Sequence, residues 1–84
     1  MTIQYWKLPV DLTMPKTGKR RTITAAVYAC EYLVTLWPAD KYGPSYFVAA
    51  ATCIRAMQNE VPQSLAREAF IVAARDADLL DTLH

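Results

Sequence analysis

The side chains of this sequence that could do chemistry are few and poorly spaced for it. The one histidine, His84, is the last residue, and a fraying chain end cannot hold a general base against a substrate. Cys30 and Cys53 fall on the apolar sides of two helical patterns. With no histidine near either in the sequence, and with burial suppressing the thiolate, both read as small, reduced hydrophobes rather than nucleophiles. A zinc site built from Cys30, Cys53 and His84 would lack a fourth ligand and the paired short spacings of metal-binding sequences. Asp76, Asp78 and Asp81 lack the ligand spacing and glycine of a calcium loop, and read as an acidic helix end that opposes the helix dipole. Gly18 and Gly43 are the only glycines, so there is no glycine-rich phosphate loop. The expectation is a protein that is not an enzyme, with no catalytic, metal or cofactor-binding residue.

Binding chemistry is better supplied. Lys16, Lys19, Arg20 and Arg21 put four of the nine basic residues in one short stretch. The segment up to Lys41 carries six bases against three acids, a local +3, and the rest of the chain is −2. Such a turn, with Tyr5 and Trp6 on the same strand pair, could touch phosphates and stack a base. It also reads as an ordinary solvated hairpin tip or as a contact for an acidic protein; nucleic acid is possible but not favoured. The second candidate is a protein interface. Nine aromatics and a charged share of only 20% leave large apolar side chains that a small fold cannot all bury. Tyr28 and Tyr32 beside the first helix's polar stripe, Tyr42, Val48, and Ile71 with Val72 on the third helix are the residues this singles out. A homodimer or an unknown protein partner would cover them, and scattered surface hydrophobes are the plain alternative.

The elements that position these residues follow from periodicity. Trp6, Leu8, Val10, Leu12 and Met14 alternate with Tyr5, Lys7, Pro9, Asp11 and Thr13, the period of a half-buried strand. Pro9 cannot donate to a ladder, so the strand is an edge there or pairs regularly only after it. Pro15 to Gly18 is a turn, with Gly18 free to take positive φ, and Lys19 to Thr24 returns, giving a β-hairpin over about 5–24. Thr24 reads as the cap of a first helix over about 25–37, apolar at Ala25, Ala26, Ala29, Cys30, Leu33, Val34, Leu36 and Trp37 and stopped by Pro38. Pro44 opens a second helix over about 44–58, with Tyr46, Phe47, Ala50, Cys53, Ile54 and Met57 as its expected buried side and Asn59 as a left-handed terminator. Pro62 opens a third over about 62–79, burying Leu65, Ala66, Ala69, Phe70, Ala73 and Ala77. Ile71 stands in that helix's polar arc and Asp76 lies toward its apolar edge; a single exposed Ile and an Asp that snorkels to water are the plain reading, and a contact surface of Ile71, Val72 and Leu79 is the alternative. The whole, residues 1–84, is one α+β domain: a hairpin packed on a three-helix core.

Several of these stretches together resemble the short bacterial, mainly alphaproteobacterial, proteins catalogued as domain-of-unknown-function family 982. The matching residues are Thr22-Ile23-Thr24 leading into the first helix, Leu33 to Trp37-Pro38, Gly43 before an aromatic, Ala50 and Cys53, then Ala66-Arg67-Glu68-Ala69-Phe70 and Ala73-Ala74-Arg75. Family members often carry glycine where the second helix ends, whereas this chain has Asn59-Glu60. The resemblance implies a small α+β domain with a hairpin and helices. It implies no activity, and no catalytic residue can be carried over from it.

Composition sets the remaining bounds. Eighty-four residues, 54% of them apolar, with a net charge of +1, make one folded domain with no strong pull toward nucleic acid or membrane. The stretch Met1 to Pro9 lacks the basic start and apolar core of a signal peptide, and no apolar run reaches membrane-spanning length. The expectation is a cytoplasmic protein with no membrane contact.

Overall fold

β1 (Tyr5–Thr13) and β2 (Arg20–Ala25) form an antiparallel two-stranded sheet, followed by α1 (Ala26–Thr35), a short 3-10 turn at Ala39–Lys41, α2 (Pro44–Met57) and α3 (Gln63–Asp76). This computed structural model describes residues 3–14 and 17–80, so Lys16, Asp81 and His84 lie outside the described residues. The α+β arrangement is the one the periodicities imply. Regular pairing begins at Val10 opposite Ile23 and runs to Thr13 opposite Arg20, immediately after Pro9, which has no N–H to give. Gly18 takes φ 72° in the turn.

The strand face departs from simple alternation at Leu8. Between the Tyr5–Ala25 and Val10–Ile23 pairs β1 advances five residues while β2 advances two. That bulge re-aims the side chains: Trp6, Val10 and Leu12 are buried, and Leu8 is 64% exposed. Its carbonyl accepts a 2.6 Å hydrogen bond from Arg67 Nε of α3.

Both ends of α1 differ from the sequence reading, for local reasons. Thr24 is not the cap, because the chain stays extended and paired one residue further; Ala25 is the N-cap at φ −160°, ψ 160°, with no side-chain cap bond. The helix ends at Thr35 rather than Trp37, since a residue before proline is held out of the helical region and Trp37 precedes Pro38. α2 starts on Pro44 and α3 just after Pro62, as those prolines dictate. Each of these two helices closes on a left-handed residue, Asn59 at φ 61° and Asp78 at φ 60°. Behind them Glu60 N–H bonds Arg55 C=O and Leu79 N–H bonds Ala74 C=O, both at 2.8 Å, the pattern of Schellman caps. The chain then turns back onto β1. Thr13 N–H donates to Leu79 C=O at 2.8 Å and Leu80 bridges Leu12, so Leu79, expected on a contact surface, is instead fully buried.

The core joins Trp6, Val10, Leu12 and Ile23 of the hairpin to Leu33, Trp37, Phe70 and Leu79. Phe70 lies between two indoles, with ring centroids 6.0 Å from Trp6 and 5.9 Å from Trp37. The most extensive helix contact is between α2 and α3. It is lined by small side chains, Ala49, Cys53 and Ala56 from α2 and Ala66, Ala73 and Ala74 from α3, which let the two backbones approach closely.

Candidate functional site

The residues singled out from the sequence do not assemble into one site. Tyr32 is 2% exposed and its hydroxyl points at Met14 Sδ, 2.6 Å away; it is a core residue, with the exposed polar stripe of α1 confined to Tyr28, Glu31 and Thr35 beside it. Tyr28 stays partly exposed, and its phenol is pushed up first by a hydrogen bond with the Tyr5 side chain. Ile71 is half-buried against the core, and Asp76, expected near the apolar edge, is exposed. Val72 is exposed and shares its side of α3 with Glu68 and Asp76 as well as with Leu65, which was expected in the core and is 46% exposed. Lys19, Arg20 and Arg21 are exposed, but the aromatics expected beside them are not there. Tyr5 pairs with Ala25 at one end of the sheet and Thr13 with Arg20 at the other, about 17 Å away along β2. Trp6, moreover, is buried and donates its indole N–H to Gln63 Oε1 at 3.1 Å.

The thiols behave according to depth. Burial pushes the Cys53 thiol up to about 12, and Cys30, only part-covered on α1, is raised by its smaller desolvation. No group of three histidine, cysteine or acidic side chains that could hold a metal occurs among the described residues, and no described helix is long and apolar enough to cross a membrane.

What the structure does assemble is an uncharged apolar face on the outside of α1 and α2. α2 packs its small residues inward and its large ones outward: Ala49, Cys53 and Ala56 are buried, whereas Phe47 is 60% exposed and Ile54 and Met57 are each 45% exposed. The helix is rotated from the expected orientation, in which Phe47, Ile54 and Met57 were to be inside, because close packing on α3 selects the alanine side. On a helix, positions 47, 50, 54 and 57 fall in one stripe. α1 lies alongside: the Tyr46 hydroxyl donates to Leu33 C=O at 2.8 Å, and Val27 and Met57 line the same groove of about 520 Å³, together with Ile3. That places the outward ridge of α1, with Val27, Cys30 and Val34, beside the α2 stripe. Val34, expected in the core, is 68% exposed. Phe47 is held in place by an edge-on contact with Tyr46 at 5.1 Å, and Tyr46 in turn packs on Trp37 at 5.8 Å.

A second feature escaped the sequence reading. Gln63, the first residue of α3, accepts from Trp6 Nε1 at 3.1 Å and from the Ala26 N–H at 3.4 Å, and donates to Ala56 C=O at 3.4 Å. It ties the hairpin, α1 and α2 together at one point. It also supplies the bond to the first N–H of α1 that Thr24 does not. Beside it a cleft of about 430 Å³ opens between β1 and α3, lined by Tyr5, Lys7, Leu8, Ser64 and Arg67. No periodicity could reveal Gln63. The exposed α2 stripe did carry a signal, in that its large residues at 47, 54 and 57 lie opposite alanines at 49 and 56.

Comparison with known proteins adds a family but no activity. No match was found among the curated proteins or the solved structures. The family model described as "Protein of unknown function (DUF982)" covers residues 8–80, from the bulge in β1 to the bridge that returns to it. The chain therefore belongs to the DUF982 family.

Proposed function

We propose that this protein is a non-enzymatic, cytoplasmic protein-interaction or regulatory module whose contact surface is the outer face of α1 and α2. The observation that supports it is the inverted size order of α2, with alanines inside and Phe47, Ile54 and Met57 outside. Leaving such side chains half in water forgoes about 0.7–1.5 kcal/mol each, half the worth of full burial, and a partner that covers them recovers it. Phe47, braced by Tyr46 and already aimed outward, has the character of an anchor that loses little rotamer entropy on binding. The test is a capture experiment with wild-type protein and with Phe47→Glu/Ile54→Glu as bait. A protein retained by the first and lost from the second supports the reading; identical captures remove the face from it.

A different reading, weak nucleic-acid binding through the turn Lys16 to Arg21, rests on the exposure of Lys19, Arg20 and Arg21 alone. It has less support, since Tyr5 and Trp6 lie away from those cations, and of the two aromatics that share a pocket with Arg21, Tyr28 and Tyr32, the second is buried.

A further inference from the structure

We infer that the occupant of the α1–α2 face is a second copy of this chain, docked about a two-fold axis that sets α2 antiparallel to α2 of the partner copy. The inference rests on the interaction-module reading above and names its partner.

The first argument is charge. Across α1 and α2 the only charged side chains are Glu31 and Arg55, and neither falls between the α1 ridge and the α2 stripe. A charged or strongly polar partner finds nothing to pair with there, whereas an identical apolar face does. The net charge of +1 per chain sets up little repulsion between two copies.

The second argument is area. The exposed fractions of Val34, Phe47, Ile54 and Met57 leave apolar surface on the order of 400 Å². A standard interface covers about 800 Å² on each partner, of which roughly 60% is apolar. The face is therefore the size a modest dimer requires, and it does not extend to the larger area of an obligate one.

The third argument is self-complementarity. In a two-fold contact, if residue i meets residue j of the other copy, j meets i. Reversing the α2 stripe about its midpoint near Thr52 sets Phe47 opposite Met57 and Ala50 opposite Ile54, so each large side chain meets either a small one or a thioether suited to an aromatic ring. The same axis serves α1, where reversal about the point between Cys30 and Glu31 sets Val27 opposite Val34. The two midpoints are level in this fold, since Val27 lines one groove with Met57 and the Tyr46 hydroxyl reaches Leu33 C=O, and Cys30 lies near enough to Cys53 to raise its thiol further. One axis thus satisfies both helices.

The test is sedimentation equilibrium across a dilution series from about 1 μM to about 1 mM, the range in which a small dimer dissociates, on wild type, Ile54→Glu, and Val72→Glu as a control on α3. Ile54→Glu should weaken dimerisation by about a hundredfold, and Val72→Glu should not change it. Circular dichroism checks that each variant is folded, and Phe47→Arg serves as a second variant if Ile54→Glu is not. The register is tested separately with Phe47→Cys and Met57→Cys combined in a Cys30→Ala background. Positions ten residues apart on one helix are about 15 Å apart, too far to bridge within a chain, so diamide should give a covalent dimer from the double variant and from neither single variant. A wild type that stays at 9.5 kDa throughout overturns the proposal. It does so without touching the interaction-module reading, if a captured protein still depends on Phe47 and Ile54. A dimer insensitive to Ile54→Glu overturns the face, and a sensitive dimer that gives no cross-link overturns the antiparallel register.

Discussion

Gln63→Ala removes three hydrogen bonds with one side chain, and the structure indicates what each is worth. The bond from Trp6 Nε1 is 3.1 Å long and part-buried, whereas those with Ala26 N–H and Ala56 C=O are 3.4 Å, near the limit of a useful contact. A donor or acceptor left without a partner away from water costs about 1–3 kcal/mol. Counting the indole fully and the long pair as one, the loss is about 2–3 kcal/mol. For a domain of this size that is a fall in Tm of roughly 8–24 °C. Gln63→Glu keeps the acceptor for the indole and the Ala26 N–H and adds a negative charge at the N-terminal ends of α1 and α3, which the helix dipoles favour. It replaces the donor to Ala56 C=O by a second acceptor facing that carbonyl, a repulsion that offsets part of this gain, so it should cost less than Gln63→Ala but more than nothing. The assay is urea unfolding followed by circular dichroism, with tryptophan fluorescence reporting Trp6. The reasoning is refuted if Gln63→Ala lies within about 0.5 kcal/mol of wild type, or if the glutamate variant is the weaker of the two.

The other expectations are as follows. Phe70→Ala empties the space between Trp6 and Trp37 and should cost about 3–5 kcal/mol, enough to unfold much of so small a domain; a near-normal melting curve would mean that α3 is misplaced. Cys53 has a folded-state pKa raised from 9.0 to about 12, so its contribution is complete below pH 9 and is lost as pH rises toward 12. Alkaline stability should therefore fall by up to about 1.4 kcal/mol per pH unit in that window, and Cys53→Ala, measured by denaturant titration at pH 8 and pH 10.5, should flatten the slope. If the basic turn binds single- or double-stranded nucleic acid, affinity should fall with salt at a log–log slope of magnitude about three to four; no retention at low salt removes that reading, and equal binding by a variant with Lys16, Lys19, Arg20 and Arg21 all changed to Ala removes the site.

The order and type of the elements were legible because their signals are local. Pro44 and Pro62 open helices, Gly18 and Asn59 take the left-handed conformations that turn or stop the chain, and Pro9 delays regular pairing to Val10. Each effect acts within a few residues and needs no partner. The burial of Leu33, Trp37 and Phe70 was legible too, although Val34, Leu36 and Leu65, read on the same apolar sides, are exposed. What periodicity could not say is which side of α2 faces inward. Nearly every position of that helix is apolar, so hydrophobicity alone does not orient it, and the choice fell to backbone approach: Ala49, Cys53 and Ala56 let α2 lie close to the alanines of α3 and turn Phe47, Ile54 and Met57 out. Leu8 left the core through a bulge that exists only once β1 has paired with β2. Leu79 entered it because the chain after α3 returns to the edge of β1. Gln63 owes its role to Trp6 and Ala26, neighbours 57 and 37 residues away in sequence. The exposed α1–α2 face and the Gln63 junction are both products of which elements meet, and local rules applied along a linear sequence do not contain that.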